Sequence, residues 1–179
     1  MSSPCDPSEA PVGDVGGALL MIDSRLQAIY DEKAEVDPEY QRLLDQFAAS
    51  LGPSGLDALL DGTCTLIYLY MKWLRLACEA HDQDVIETVV PTLVGTMRKM
   101  PQTFRPEVIP IMAGLLISSG LGLSPSLWRA QYGRWTDAEM NPLEGTAVLL
   151  AEHINRMSND RDFATRMVTD ALSGADKDY

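Results

Sequence analysis

The chain has 179 residues, 46% of them hydrophobic, and a formal net charge of −12. That length fits one domain able to bury roughly 70% of its unfolded surface without staples. An acid excess of this size opposes binding to a phosphate backbone, where affinity comes from Lys and Arg, so direct DNA binding is not expected. Three cysteines, Cys5, Cys64 and Cys78, form no even set and argue against a disulfide framework.

Residues 1–13 contain Pro4, Pro7, Pro11 and Gly13 among serines and acids, and read as a disordered N-terminal tail. They carry no basic residue, and the apolar run from Ala18 to Ile22 is too short for the core of a secretion signal. A cytoplasmic protein is therefore expected. Asp14 is a fair helix cap, and Val15, Leu19, Ile22, Leu26 and Ile29 follow at helical spacing, which predicts a first helix over 15–33. Asp37-Pro38-Glu39 is a strong helix start, with Tyr40, Leu44, Phe47 and Leu51 as its apolar stripe and Gly52-Pro53 as its stop.

The stretch 54–82 organises the rest. Leu60, Cys64, Ile67, Met71, Leu74 and Cys78 recur at steps of four and three, and Gly62, Leu66, Leu69, Trp73, Leu76 and Ala80 make a second stripe. Only Asp61, Thr65, Tyr68, Lys72, Arg75, Glu79 and Asp82 form a polar one. A helix apolar over most of its circumference sits inside a domain, so this is predicted to be a central buried helix, with Ser54 and Asp57 as its capping box. Cys64 and Cys78 fall about 21 Å apart along it, too far for a disulfide.

Asp82 or Asp84 is expected to cap a helix carrying Val85, Val89, Leu93 and Met97, kinked at Pro91 and stopped at Met100-Pro101. Val108 to Trp128 contains no charge, yet its prolines and glycines break it, so it predicts a buried helix ending near Gly120 and not a membrane span. Ser124-Pro125 starts a short helix over 125–132. Thr136 and Glu139 form a capping box, although Pro142 suggests one turn followed by a second start. Asn159 is expected to cap a last helix ended by Gly174, and 174–179 to be a flexible tail. The fold class is all-α: a single domain over 14–173, a bundle of about seven to eight helices around 54–82.

No motif assigns a reaction. Neither a nucleophile elbow nor a phosphate-binding glycine loop occurs, and the two histidines, His81 and His153, lack the spacing of metal ligands; Cys78-x-x-His81 has no second pair. No catalytic residue, metal ligand or cofactor is assigned. The distinctive segment is Leu127–Trp135, which holds two of the three tryptophans in the one electropositive part of the chain: Arg98 to Arg134 has five bases and one acid. Trp, Tyr and Arg anchor interfaces, so Trp128, Arg129, Tyr132, Arg134 and Trp135 are the expected partner-binding set. Lys72 and Arg75 are an ion-pair stripe or a ligand-facing one. The expected function is non-enzymatic, a regulatory or accessory role through protein–protein interaction, with an unidentified protein or a second copy in a homodimer as partner. Two alternatives stand beside it: a helical protein that encloses a small apolar ligand among Tyr70, Trp73, Met97 and Met112, and an acidic mimic of nucleic acid that binds a basic partner.

Overall fold

The computed structural model describes residues 3–31 and 52–175, together with Glu39, Arg42 and Gln46, each helical. The described residues hold seven helices and no strand: α1 (Val15–Tyr30), α2 (Gly52–Glu79), α3 (Val85–Arg98), α4 (Ile109–Gly120), α5 (Pro125–Ala130), α6 (Asp137–Ser158) and α7 (Phe163–Ala175). The protein is all-α. Apart from Glu39, Arg42 and Gln46, the helix expected over 38–51 lies outside the described residues, as does the tail from 176 to 179.

Helix α2 touches each of the other six. Leu66, Ile67, Met71 and Leu74 on it are fully buried, each worth about 1.5–3 kcal/mol in removed apolar surface. It is not buried all round: Lys72 and Glu79 face solvent and Leu76 is 55% exposed. Its start differs from expectation. It begins at Gly52, which has the left-handed conformation expected of it, φ 68°, and Ser54 and Asp57 lie within its first turns instead of forming a capping box. Proline is pre-organised for a helical first turn, where its missing N–H costs nothing.

Helix α1 starts against the backbone of α2. The Asp14 N–H donates to the Ala58 carbonyl at 2.7 Å, and the Asp14 carboxylate accepts the Gly17 N–H at 2.9 Å. A Cβ on Gly62 would lie 2.2 Å from the Asp14 carbonyl oxygen, and one on Gly13 would lie 2.3 Å from the Gly62 nitrogen. The glycine within the central helix is therefore what lets the two chains meet.

Asp84, not Asp82, caps α3 by accepting the Ile86 N–H. Pro142 does not divide α6, which runs unbroken past it. Proline there removes one donor, to the carbonyl of Ala138 on an exposed turn, and the rest of the ladder persists. Asn159 closes α6 in the left-handed conformation, φ 51°, and does not cap α7. The joint between α6 and α7 is instead organised by Asn155, 2% exposed, whose amide donates to the Tyr30 hydroxyl and the Arg161 carbonyl and accepts from the Ala164 N–H.

The segment before α1 departs most from expectation. From Ser3 to Gly13 it is laid along α2 and α5, with a 3₁₀ turn at Pro7–Glu9. The Ser124 N–H donates to the Cys5 carbonyl at 2.8 Å, the Gln131 amide donates to the Cys5 sulfur at 3.1 Å, and the Thr65 hydroxyl donates to the Val12 carbonyl at 2.7 Å. Cys5 is buried. Main-chain carbonyls, not side chains, make most of these ties.

Candidate functional site

The segment 128–135 forms a corner between α5 and α6. Ser124 caps α5 by accepting the Leu127 N–H, and Pro125 occupies its first position. Trp128 then lies across Gly114 of α4, where an added Cβ would come within 2.1 Å of the indole. Tyr132 meets Trp128 edge-on at 5.2 Å and is 63% exposed. On the same side of α4 as Gly114, by helical spacing, Ile117 and Leu121 are also exposed, at 38% and 60%.

Arg129 turns inward, away from the surface set in which it was expected, and is only 4% exposed. Its Nε and Nη2 donate to the two carboxylate oxygens of Glu139 at 2.8 and 2.5 Å. Nη1 donates to the Gly133 carbonyl at 2.9 Å, and Nη2 to the Arg134 carbonyl at 3.0 Å. The guanidinium also sits 4.8 Å from the centre of the Trp135 ring. Glu139 in turn accepts the Thr136 N–H and hydroxyl, completing the capping box expected at the start of α6. Burial raises the Glu139 carboxyl's pKa, but hydrogen bonds from Arg129 and Thr136 and the Arg129 charge more than offset that, leaving it below the ordinary value. Loop 131–136 is thus tied to one buried ion pair, which leaves Tyr132 and Arg134 outside and Trp128 and Trp135 half-buried.

A second feature lies on the other side of α5. A half-open pocket of about 210 Å³ is bounded by Pro7, Ala10, Pro11 and Val12 above, Thr65, Tyr68 and Leu69 of α2 below, and Ser124 to Ser126 at the side. No charged residue lines it. The nearest acid on the α2 row, Asp61, is engaged by the Ser126 hydroxyl at 2.7 Å. Cys64 closes the floor; burial, and after it the neighbouring Asp61 charge, push its thiol pKa well above the usual range, so it is a protonated, unreactive group.

Lys72 is exposed and Arg75 half-buried, and neither makes an ion pair among the described residues. An Arg75 Nη1 lies close over Gly122, 2.9 Å from where a Cβ would stand. None of the four residues expected around an enclosed ligand lines the pocket under the N-terminal segment. Tyr70, Met97 and Met112 are fully buried, and Trp73 packs edge-on against Phe163 at 5.3 Å. Tyr70 keeps one irregularity, a buried hydroxyl without a hydrogen-bond partner, and burial, with Asp23 nearby, raises its pKa. His81 is exposed and His153 half-buried, and no group of three or more His, Cys, Asp or Glu side chains suited to a metal ion occurs among the described residues.

What the geometry defines is an all-α protein with an aromatic corner braced by a buried ion pair and an uncharged pocket beside it. No helix among the described residues is long and apolar enough to cross a membrane. No family model matches the chain, and no curated protein or solved structure matches it either.

Proposed function

We propose that this chain is a non-enzymatic protein that acts by binding another protein through the corner at 128–135. The observation that carries the reading is the support given to exposed aromatic and cationic groups. Tyr132 is 63% exposed, yet the loop bearing it is tied by three of the hydrogen bonds that Arg129 and Glu139 make to backbone groups. A side chain held this way loses little conformational entropy on binding, which is what makes Tyr and Trp efficient anchors. Arg134, exposed beside it, favours a partner surface that is apolar with a carboxylate at its edge. Arg129 is the brace and not an anchor.

The test is site-specific photo-crosslinking in the native cell from positions 132 and 134, with position 169 on the exposed face of α7 as control. The expected result is one shared adduct from 132 and 134, absent at 169 and lost in Tyr132→Ala read from position 134. Light scattering on the purified chain tells whether that partner is a second copy. Equal adducts from all three positions, or none from 132 and 134, would refute the proposal.

A further inference from the structure

We infer that the pocket under the N-terminal segment, together with Lys72 and Arg75, is a binding site for a small organic acid with an apolar body. This inference is independent of the protein-binding corner. It rests on the way one row of α2 is divided. Thr65, Tyr68, Lys72 and Arg75 follow one another at helical spacing on a single face. The first two line the pocket. The last two lie beyond its edge, about 6 and 10 Å along the axis from Tyr68.

The two halves ask for different parts of one ligand. The pocket is apolar and free of charge, with three prolines, a leucine and a tyrosine face in its wall. An apolar cavity of about 150 Å³ holds one benzene ring, so 210 Å³ takes a single ring or a short chain and nothing larger. The Tyr68 hydroxyl has no partner among the described residues. Next to this stand two cations without an ion pair among the described residues, in a chain whose acids outnumber its bases by 26 to 14. Glu79, four residues beyond Arg75 on the same row, bonds to neither. Arg75 is held over the turn at Gly122, two residues before the pocket wall at Ser124. A half-buried arginine beyond the rim of an apolar pocket suits a carboxylate better than a neutral group.

The N-terminal segment is the roof of this site. It is fastened at Val12 through Thr65 and at Cys5 through Ser124 and Gln131.

Phenylacetate is the probe, with phenylacetamide as its neutral counterpart, followed by calorimetry. Phenylacetate is expected to bind saturably, at one site per chain. The amide should bind about tenfold more weakly, the factor one charge-assisted hydrogen bond supplies. Arg75→Gln should bring the acid to the level of the amide without altering the melting temperature. Ala10→Trp, a change in the roof and outside the core, should fill the pocket and abolish binding of both. Absence of saturable binding, equal affinity for acid and amide, or binding that survives Ala10→Trp would each overturn the inference.

Discussion

Arg129→Met isolates a carboxylate in a dry place. The two partners are only 5% and 9% exposed at their side chains, and removing one member of such a pair costs about 3–5 kcal/mol because the other charge stays buried. Glu139 retains two hydrogen bonds from Thr136, which sets the expected loss near the lower end, about 3 kcal/mol. In a chain of this size that lowers the melting temperature by about 6–12 °C. Replacing both partners, as Arg129→Met with Glu139→Leu, removes both desolvated charges and should recover most of the loss, short of about 1 kcal/mol for the vanished cap. Urea denaturation at pH 7 measures both values. Amide exchange across 131–136 should accelerate in the single and the double variant alike, because both lose the ties to the Gly133 and Arg134 carbonyls. A loss below about 1 kcal/mol for Arg129→Met, the size of a solvated surface pair, would refute the claim that this pair is a buried brace. Acid gives an independent check. The Glu139 carboxyl titrates below its ordinary value of 4.5, so its contribution is complete above that pH and disappears as pH falls through the lowered value. The advantage of the wild type over a Glu139→Gln variant should shrink accordingly.

Gly62→Ala forces a Cβ to within 2.2 Å of a backbone carbonyl and should cost more than the 1–3 kcal/mol (approximate) usual for overpacking, measured by urea titration. Gly114→Ala meets the Trp128 ring, not backbone; a loss of about 1–3 kcal/mol is expected, with a shift in tryptophan emission as the indole is displaced, and an unchanged spectrum would count against that contact. Asp84→Ala removes the α3 cap and should lower stability by about 1 kcal/mol in a thermal melt. His153 is held below its ordinary pKa of 6.5, first by burial and then by the Arg156 charge, with Glu152 opposing. The unfolded chain thus binds its proton more readily, so stability should fall as pH drops through 6.5 toward the lowered value. That slope should be missing from His153→Gln, and an identical slope in the variant would remove His153 as its cause.

Much of the fold was legible because local signals and burial agree in most helices. Asp14, Ser124 and the Thr136–Glu139 box all act as caps, and the core stripe of 60, 64, 67, 71, 74 and 78 is buried as its spacing demands. The misreadings share a cause. Asn159 marks a helix end, but a lone end signal does not say which of two adjacent helices it belongs to. The 3–13 segment has the composition of a tail, and its ties run through main-chain carbonyls at Cys5 and Val12, which leave no mark in a sequence. The same holds for Arg129. Its aromatic neighbours and charge read as surface, while the partner that draws it inward lies ten residues on, across a turn whose geometry only the fold supplies.

The polar row of α2 shows how far periodicity reaches. Spacing places Asp61, Thr65, Tyr68, Lys72 and Arg75 on one line, and they lie on one face of one helix. What spacing cannot give is the covering of that line. The N-terminal segment roofs it as far as Tyr68 and Leu69. Asp61 and Thr65 consequently spend their hydrogen bonds on α5 and on the roof, through Ser126 and Val12, while Lys72 and Arg75, past the roof, make no ion pair among the described residues. A uniform polar stripe has become a capped half and a charged half, divided by how far a neighbouring segment extends. A segment read as a tail therefore decides which side chains of α2 are covered and which are left outside it.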